Sequence, residues 1–310
     1  MAYIEFADVD LTCTALELPN AVVIRTFSKA WGLAGLRVGY ALGPEEIISW
    51  MDAAGNPYTV SGPSLVLAKS RFENGRNGML AFVETVRTER AALEMLLSTL
   101  GAHPMPSQGN FVFYAFENKM WVWQALASLG IAVRHFGNAP GLSSALRITC
   151  PGNSGDFLRL ERALKTSLAP EALFVEFDKE IASAELRDTL FRLGKKLPLI
   201  AVTSGSKAVL GAALSTSGFA GLFRGIAAPL PGTGEVAELR LDEVLTEHGL
   251  ERAWLLARTP AAIQAARRTE IVSLVVDGSY PGTNINEESV LRLGVARVLT
   301  NPAELEELLP

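Results

Sequence analysis

Apolar positions along the chain fall into short β-branched runs and longer stretches of helical period. Near the N-terminus "YIEF", "AVVIRTFS" and "LRVGYALG" predict strands, each bounded by polar or glycine positions. "GPEEIISWMDAA" predicts a short helix. After the Pro and Gly punctuation of "NPYTVSGPS", helical spacing runs from about Leu65 to Leu100, with a break at "ENGRNG". "GNFVFYAF", "IAVRHF" and "SALRITC" predict strands around the amphipathic helix "KMWVWQALASLG", and "NSGDFLRLERALKTSL" predicts a helix with Asn and Ser as cap candidates. This alternation predicts an α+β subdomain over about 70–168.

The pattern restarts between Ser167 and Pro170. "APEALFVEFD", "SAELRDTLFRLGKK", "PLIAVTSG" and "KAVLGAALSTSG" read as strand, helix, strand and helix, and further pairs follow to the C-terminus. Such regular alternation predicts a doubly wound parallel sheet, so the expected fold class is α/β. The expected domains are 1–168, divided into 1–62 and 63–168, and then 169–310.

Composition narrows the function classes. With 310 residues, 49% hydrophobic and 20% charged, the chain can bury a sizeable core. The net charge of -5 and the scatter of Lys and Arg leave no basic stripe for a nucleic acid backbone. Cys13 and Cys150, with three isolated histidines, form neither a disulfide framework nor a metal cluster, which suits a reducing cytoplasm. "MAYIEFADVDLT" is acidic where a secretory signal is basic, and no apolar run is long enough to span a membrane. Neither a nucleic acid nor a membrane is an expected partner.

The chemistry concentrates in "RTFSKAWGLAGLRVGYALG". A lysine at the end of an apolar strand can present its amine to a carbonyl, and Lys29 stands there. Ser28 adds a hydroxyl, and Arg37 adds a planar fork suited to phosphate. Gly32, Gly35 and Gly39 permit close backbone approach. The pattern S-K-x-x-G-x-x-G-x-R-x-G-Y resembles the cofactor segment of fold-type I aminotransferases, and its wording is similar to the histidinol-phosphate aminotransferase branch.

That resemblance implies pyridoxal phosphate as cofactor, Lys29 as the catalytic lysine, and Ser28 and Arg37 as cofactor ligands. It implies that Tyr3 belongs to an Asp, Glu, Ala, Tyr run preceding the lysine strand, with Tyr3 reaching the cofactor's phenolic oxygen. Asn110 in "PSQGNFVF", Arg134 in "GIAVRHF" and Arg147 in "SALRITC" match substrate-binding positions. Residues 1 to about 166 correspond to the later part of the family. The chain starts where the Asp that pairs with the pyridine nitrogen is expected, so transamination by this chain alone is not expected. Against the family's sheet this chain's is incomplete, which implies that a homodimer mate or partner chain covers it, that the two domains pack over it, or that the region is poorly stable.

The C-terminal half resembles haloacid dehalogenase-like phosphatases with degenerate motifs. The resemblance implies Asp178 as nucleophile, Glu180 in the acid/base place, and Thr203 or Ser204 as the phosphate-binding hydroxyl. Arg258 and Ala262 replace the two magnesium carboxylates, so magnesium is not expected. Two alternatives thus stand beside the aminotransferase reading. One is a phosphatase-like hydrolase using Asp178, and the other is a non-catalytic scaffold or remnant. The two resemblances together imply a small-molecule amino acid or phosphoester substrate.

Overall fold

Strands and helices follow one another in the order that the hydrophobic pattern predicts, with differences near the N-terminus. The computed structural model describes residues 1–56, 59–177, 184–219, 221–229, 239–276 and 287–309. In chain order the elements are α1 (Thr12–Leu16), β1 (Val23–Thr26), β2 (Gly39–Leu42), α2 (Glu45–Ala54), α3 (Gly62–Asn74), α4 (Arg76–Thr99), β3 (His103–Met105) and β4 (Phe111–Ala115). Then come α5 (Lys119–Ser128), β5 (Arg134–His135), β6 (Ala145–Thr149), α6 (Ser154–Leu168), β7 (Ala172–Glu176), α7 (Ala184–Leu193), β8 (Leu199–Val202), α8 (Lys207–Thr216) and β9 (Gly225–Ala227). The chain closes with α9 (Leu241–Glu247), β10 (Ala253–Leu256), α10 (Pro260–Arg268), β11 (Val272–Val276), α11 (Glu287–Arg292), β12 (Val295–Leu299) and α12 (Glu304–Leu308).

These elements form two compact units. One contains Met1–Tyr114 and Arg147–Leu158, and the other contains Ala115–Leu146 and Arg159–Pro310.

In the first unit, β1 and β2 form an antiparallel pair that runs from Val23↔Leu42 to Thr26↔Gly39. "YIEF" is a short 3-10 turn, Ile4–Phe6, rather than a strand. The cause lies in α4. Arg87 donates to the carbonyls of Glu5, Phe6 and Ala7, and the buried Arg90 donates to those of Phe6 and Gly109. Strand pairing is therefore replaced by guanidinium bonds that satisfy the same backbone acceptors. Phe6 is fully buried and its ring meets Phe82 of α4 edge to face at 6.2 Å. The break at "ENGRNG" falls at Gly75, between α3 and α4.

The second unit is built on six parallel strands in the order β12-β11-β10-β7-β8-β9. Chain order reverses between β7 and β10, which makes their carboxyl ends the topological switch point of an open α/β sheet. β7, β8, β10 and β11 are buried along their whole lengths, as a sheet covered on both faces requires.

Two tryptophans fasten α5 and α6 to this sheet. At the C-terminus of α6, Pro170 offers no N–H to Thr166 O, and Glu171 N–H is committed to Arg252 O instead of Ser167 O. The indole N–H of Trp254 donates to Thr166 O at 2.7 Å, and that of Trp121 donates to Ser167 O at 3.0 Å. The two rings meet edge to face with centroids 4.7 Å apart. Arg297 Nε of β12 donates to the side-chain amide oxygen of Gln124 on α5 at 2.9 Å.

Candidate functional site

The loop between β1 and β2 carries Ser28, Lys29 and Arg37. It is closed by Phe27 N–H to Val38 O and by Leu33 N–H to Phe27 O, at 3.1 and 3.0 Å. Phe27 and Trp31 bracket the Ser-Lys pair and anchor it in an aromatic cluster, with Phe72 lying 6.0 Å from Phe27 and 5.5 Å from Trp31. Burying these two flanking rings fixes the loop while Ser28 and Lys29 stay half-buried. Thr26 Oγ1 donates to Ser28 Oγ at 2.9 Å and accepts from Ser28 N–H at 3.1 Å.

The Lys29 amine makes no hydrogen bond or ion pair among the described residues. Its Nζ sits over the ring of Tyr3, 5.7 Å from the centroid. Arg37 is exposed in the left-handed region, at φ 55°, and spends one N–H on Ala34 O at 3.2 Å. Its remaining donors are open to a phosphate.

Arg147 lies on β6 in the same unit as Lys29. Its guanidinium carbon is 5.1 Å from the centroid of Phe111, and its Nε is buried with no acceptor. Phe111 in turn meets Tyr3 edge to face, at 5.3 Å and 88°. A continuous series therefore runs from the Lys29 amine through Tyr3 and Phe111 to the Arg147 guanidinium. The strand arginine Arg25 also has a buried Nε without an acceptor, but its terminal nitrogens are taken, paired with Glu5 at 2.8 Å and bonded to Thr12 Oγ1 at 2.9 Å.

Asn110 precedes Phe111 and is half-buried, and its carbonyl accepts from Cys150 N–H at 3.0 Å. Arg134 belongs to the second unit, where it is exposed on β5 with its guanidinium 5.3 Å above the Phe136 ring. A cavity of about 560 Å³ lies beside the lysine loop, walled by Leu33 and Leu36 on one side and Leu67, Ser70 and Arg71 of α3 on the other.

Two buried carboxylates, Glu89 and Glu176, are not among the candidate site residues expected from the sequence. Glu89 of α4 accepts from Gly152 N–H at 2.7 Å, while its other oxygen has no partner. Burial holds its carboxyl above the usual carboxylate range, against the lowering pull of the Gly152 and Asn153 N–H groups. Nearby Cys150 is pushed up to about 12, first by burial and then by the Glu89 charge.

Glu176 ends β7 at the switch point. It accepts from Arg258 N–H at 2.6 Å, Thr259 N–H at 2.9 Å and Thr259 Oγ1 at 2.6 Å. The carboxylate thereby ties β7 to the loop that follows β10. The only sequence signal for it was an acid at a strand end. Thr203 is buried and its Oγ1 accepts from Gly205 N–H at 3.0 Å, whereas Ser204 is exposed. Asp178 and Glu180 lie outside the described residues. No group of metal-ligating side chains occurs among the described residues, and no described helix is long and apolar enough to cross a membrane.

The aminotransferase class I and II family matches residues 1–164, more than half of the chain. The chain belongs to this family. Among curated members it is 39% identical over 150 residues to the histidinol-phosphate aminotransferase of Thermoanaerobacter pseudethanolicus, covering 48% of this chain and 42% of that protein. It is 37% identical over 168 residues to the aromatic amino acid aminotransferase of Mycobacteroides abscessus, covering 52% of this chain and 47% of that one. The chain thus spans about half the length of the curated relatives it matches.

Among solved structures, a histidinol-phosphate aminotransferase from Sinorhizobium meliloti in complex with pyridoxal-5'-phosphate is similar at TM-score 0.47 and 27% identity, over 53% of this chain and 46% of that one. A haloacid dehalogenase-like hydrolase from Streptococcus pneumoniae is similar at TM-score 0.37 and 13% identity, over 44% of this chain and 97% of that one.

Proposed function

We propose that this chain carries the lysine half of a pyridoxal phosphate-dependent aminotransferase site that acts on histidinol phosphate or a related amino acid. The observation that carries this reading is the series Lys29, Tyr3, Phe111, Arg147, which sets a free amine and an unsatisfied guanidinium in one unit. The residues present fit the cofactor: the Lys29 amine is uncommitted, and the Ser28 hydroxyl and the spare Arg37 donors suit its phosphate. Pyridoxal phosphate, when bound, supplies an electron sink for negative charge at the substrate α-carbon. In this reading the Lys29 amine moves the α-proton, Tyr3 holds the phenolic edge, and Arg147 takes the substrate carboxylate in a bidentate pair. Asn110, in the same unit, adds a substrate contact, and Arg134 keeps its substrate-binding role on the family resemblance alone.

The matched family and the relatives' names support this assignment. A homodimer or a partner chain covering the sheet is part of the same proposal, on the family resemblance alone. One buried and one exposed free thiol suit a reducing cytoplasm. The expected 1–168 and 169–310 blocks are retained as the evolutionary division of the chain.

Adding pyridoxal phosphate to the purified chain is expected to produce a visible absorption band that Lys29→Ala removes. A band that persists in Lys29→Ala, or no band in the parent chain, would sink the reading. For the C-terminal sheet, the Glu176 tie across the switch point favours a scaffold over phosphoryl transfer. Magnesium-dependent turnover of p-nitrophenyl phosphate that is lost in Asp178→Asn would overturn that preference.

A further inference from the structure

We propose that Phe111 is a positioning residue that aims Arg147 and Tyr3 at the same bound molecule, an inference that rests on the site described under the proposed function. Three observations fix its ring. A Cβ at Gly109 would lie 2.7 Å from Phe111 Cε1, so the ring closes directly over a position where no side chain fits. Ser107 Oγ donates to Phe111 O at 2.7 Å and anchors the backbone at the start of β4. Phe113 adds an edge contact at 6.4 Å.

Held in this way, the ring serves two neighbours. Tyr3 stands perpendicular to it at 5.3 Å, and the Arg147 guanidinium lies over it at 5.1 Å. A guanidinium over an aromatic face is attracted by the ring quadrupole and keeps its N–H fork free for an anion. The Arg147 guanidinium makes no hydrogen bond or ion pair among the described residues and its buried Nε has no acceptor, so ring packing and not a protein carboxylate sets its place. Phe111 therefore pre-orders the carboxylate-binding arginine, and through Tyr3 it also braces the ring over which the Lys29 amine sits.

The test uses the full chain and succinate as a cofactor-free dicarboxylate probe, titrated by calorimetry. The parent chain and Phe111→Tyr are expected to bind alike. Phe111→Leu, which keeps apolar bulk but loses the quadrupole, is expected to bind about five- to tenfold more weakly, and Arg147→Gln is expected to lose binding. Independently of any variant, the Arg147 Nε–H proton of the parent chain is expected to resonate upfield of ordinary arginines because of the Phe111 ring current.

An unshifted proton, Phe111→Leu binding as tightly as the parent, or succinate binding indifferent to Arg147→Gln would each overturn the proposal, as would a parent chain that binds no succinate. The visible band with pyridoxal phosphate separates the two ideas. Its absence beside intact Phe111-dependent succinate binding would remove the aminotransferase reading and leave the positioning role standing.

Discussion

Replacing Trp121 measures how firmly a helix inside the aminotransferase match is built into the C-terminal sheet. Its side chain is 1% exposed, it meets Trp254 at 4.7 Å, and its N–H satisfies Ser167 O, an acceptor left without a helical donor. Trp121→Phe keeps an aromatic ring but orphans that carbonyl, at a cost of about 1–3 kcal/mol. Trp121→Ala also removes most of a buried indole and is expected to cost about 3–5 kcal/mol. A double-mutant cycle of Trp121→Leu with Trp254→Leu is expected to give a coupling of about 0.5–1.5 kcal/mol. Urea unfolding followed by far-UV circular dichroism gives the totals, and hydrogen exchange in β7 and β10 assigns the loss to this unit. Fully additive leucine variants, together with Trp121→Phe as stable as the parent, would refute the paired capping of α6.

Other outcomes follow from buried groups. Glu176→Ala leaves the Arg258 and Thr259 N–H groups without their acceptor and is expected to destabilise by about 3–5 kcal/mol. Glu176→Gln keeps one acceptor oxygen and should cost less, which denaturant titration of the two variants compares. Because the folded-state pKa of Glu89 is raised, its contribution is most favourable below the ordinary carboxylate range and is lost as pH rises through the folded value. Glu89→Gln is therefore expected to gain stability relative to the parent as pH rises from acid to neutral, measured as the pH dependence of the difference in unfolding free energy. Of the two thiols, exposed Cys13 is expected to react with a disulfide reagent in the native chain at mildly alkaline pH. Cys150, buried and raised to about 12, should react only after denaturation.

Much of this protein was legible along the chain, because local periodicity and local motifs carry their own physics. The alternation after Ala169 foretold the parallel sheet, since strands buried on both faces must be continuous apolar runs joined by helices. "SKAWGLAGLR" marked the lysine loop through its resemblance to the aminotransferase segment, because that motif is contiguous along the chain. The "YIEF" turn was hidden for the opposite reason: Arg87 and Arg90, distant along the chain, claim its carbonyls.

Only tertiary structure decided which groups meet. It brought Phe111 between Tyr3 and Arg147, gave Glu176 to the N–H groups after β10, and assigned two indoles to the carbonyls left open at the end of α6. Each of these is a contact between residues far apart in sequence, and no periodicity encodes it. The sequence by itself determined most of the elements and the place of the lysine loop between β1 and β2. Packing determined which acceptor each buried donor found, because a polar group taken from water must be satisfied by whatever the fold sets beside it.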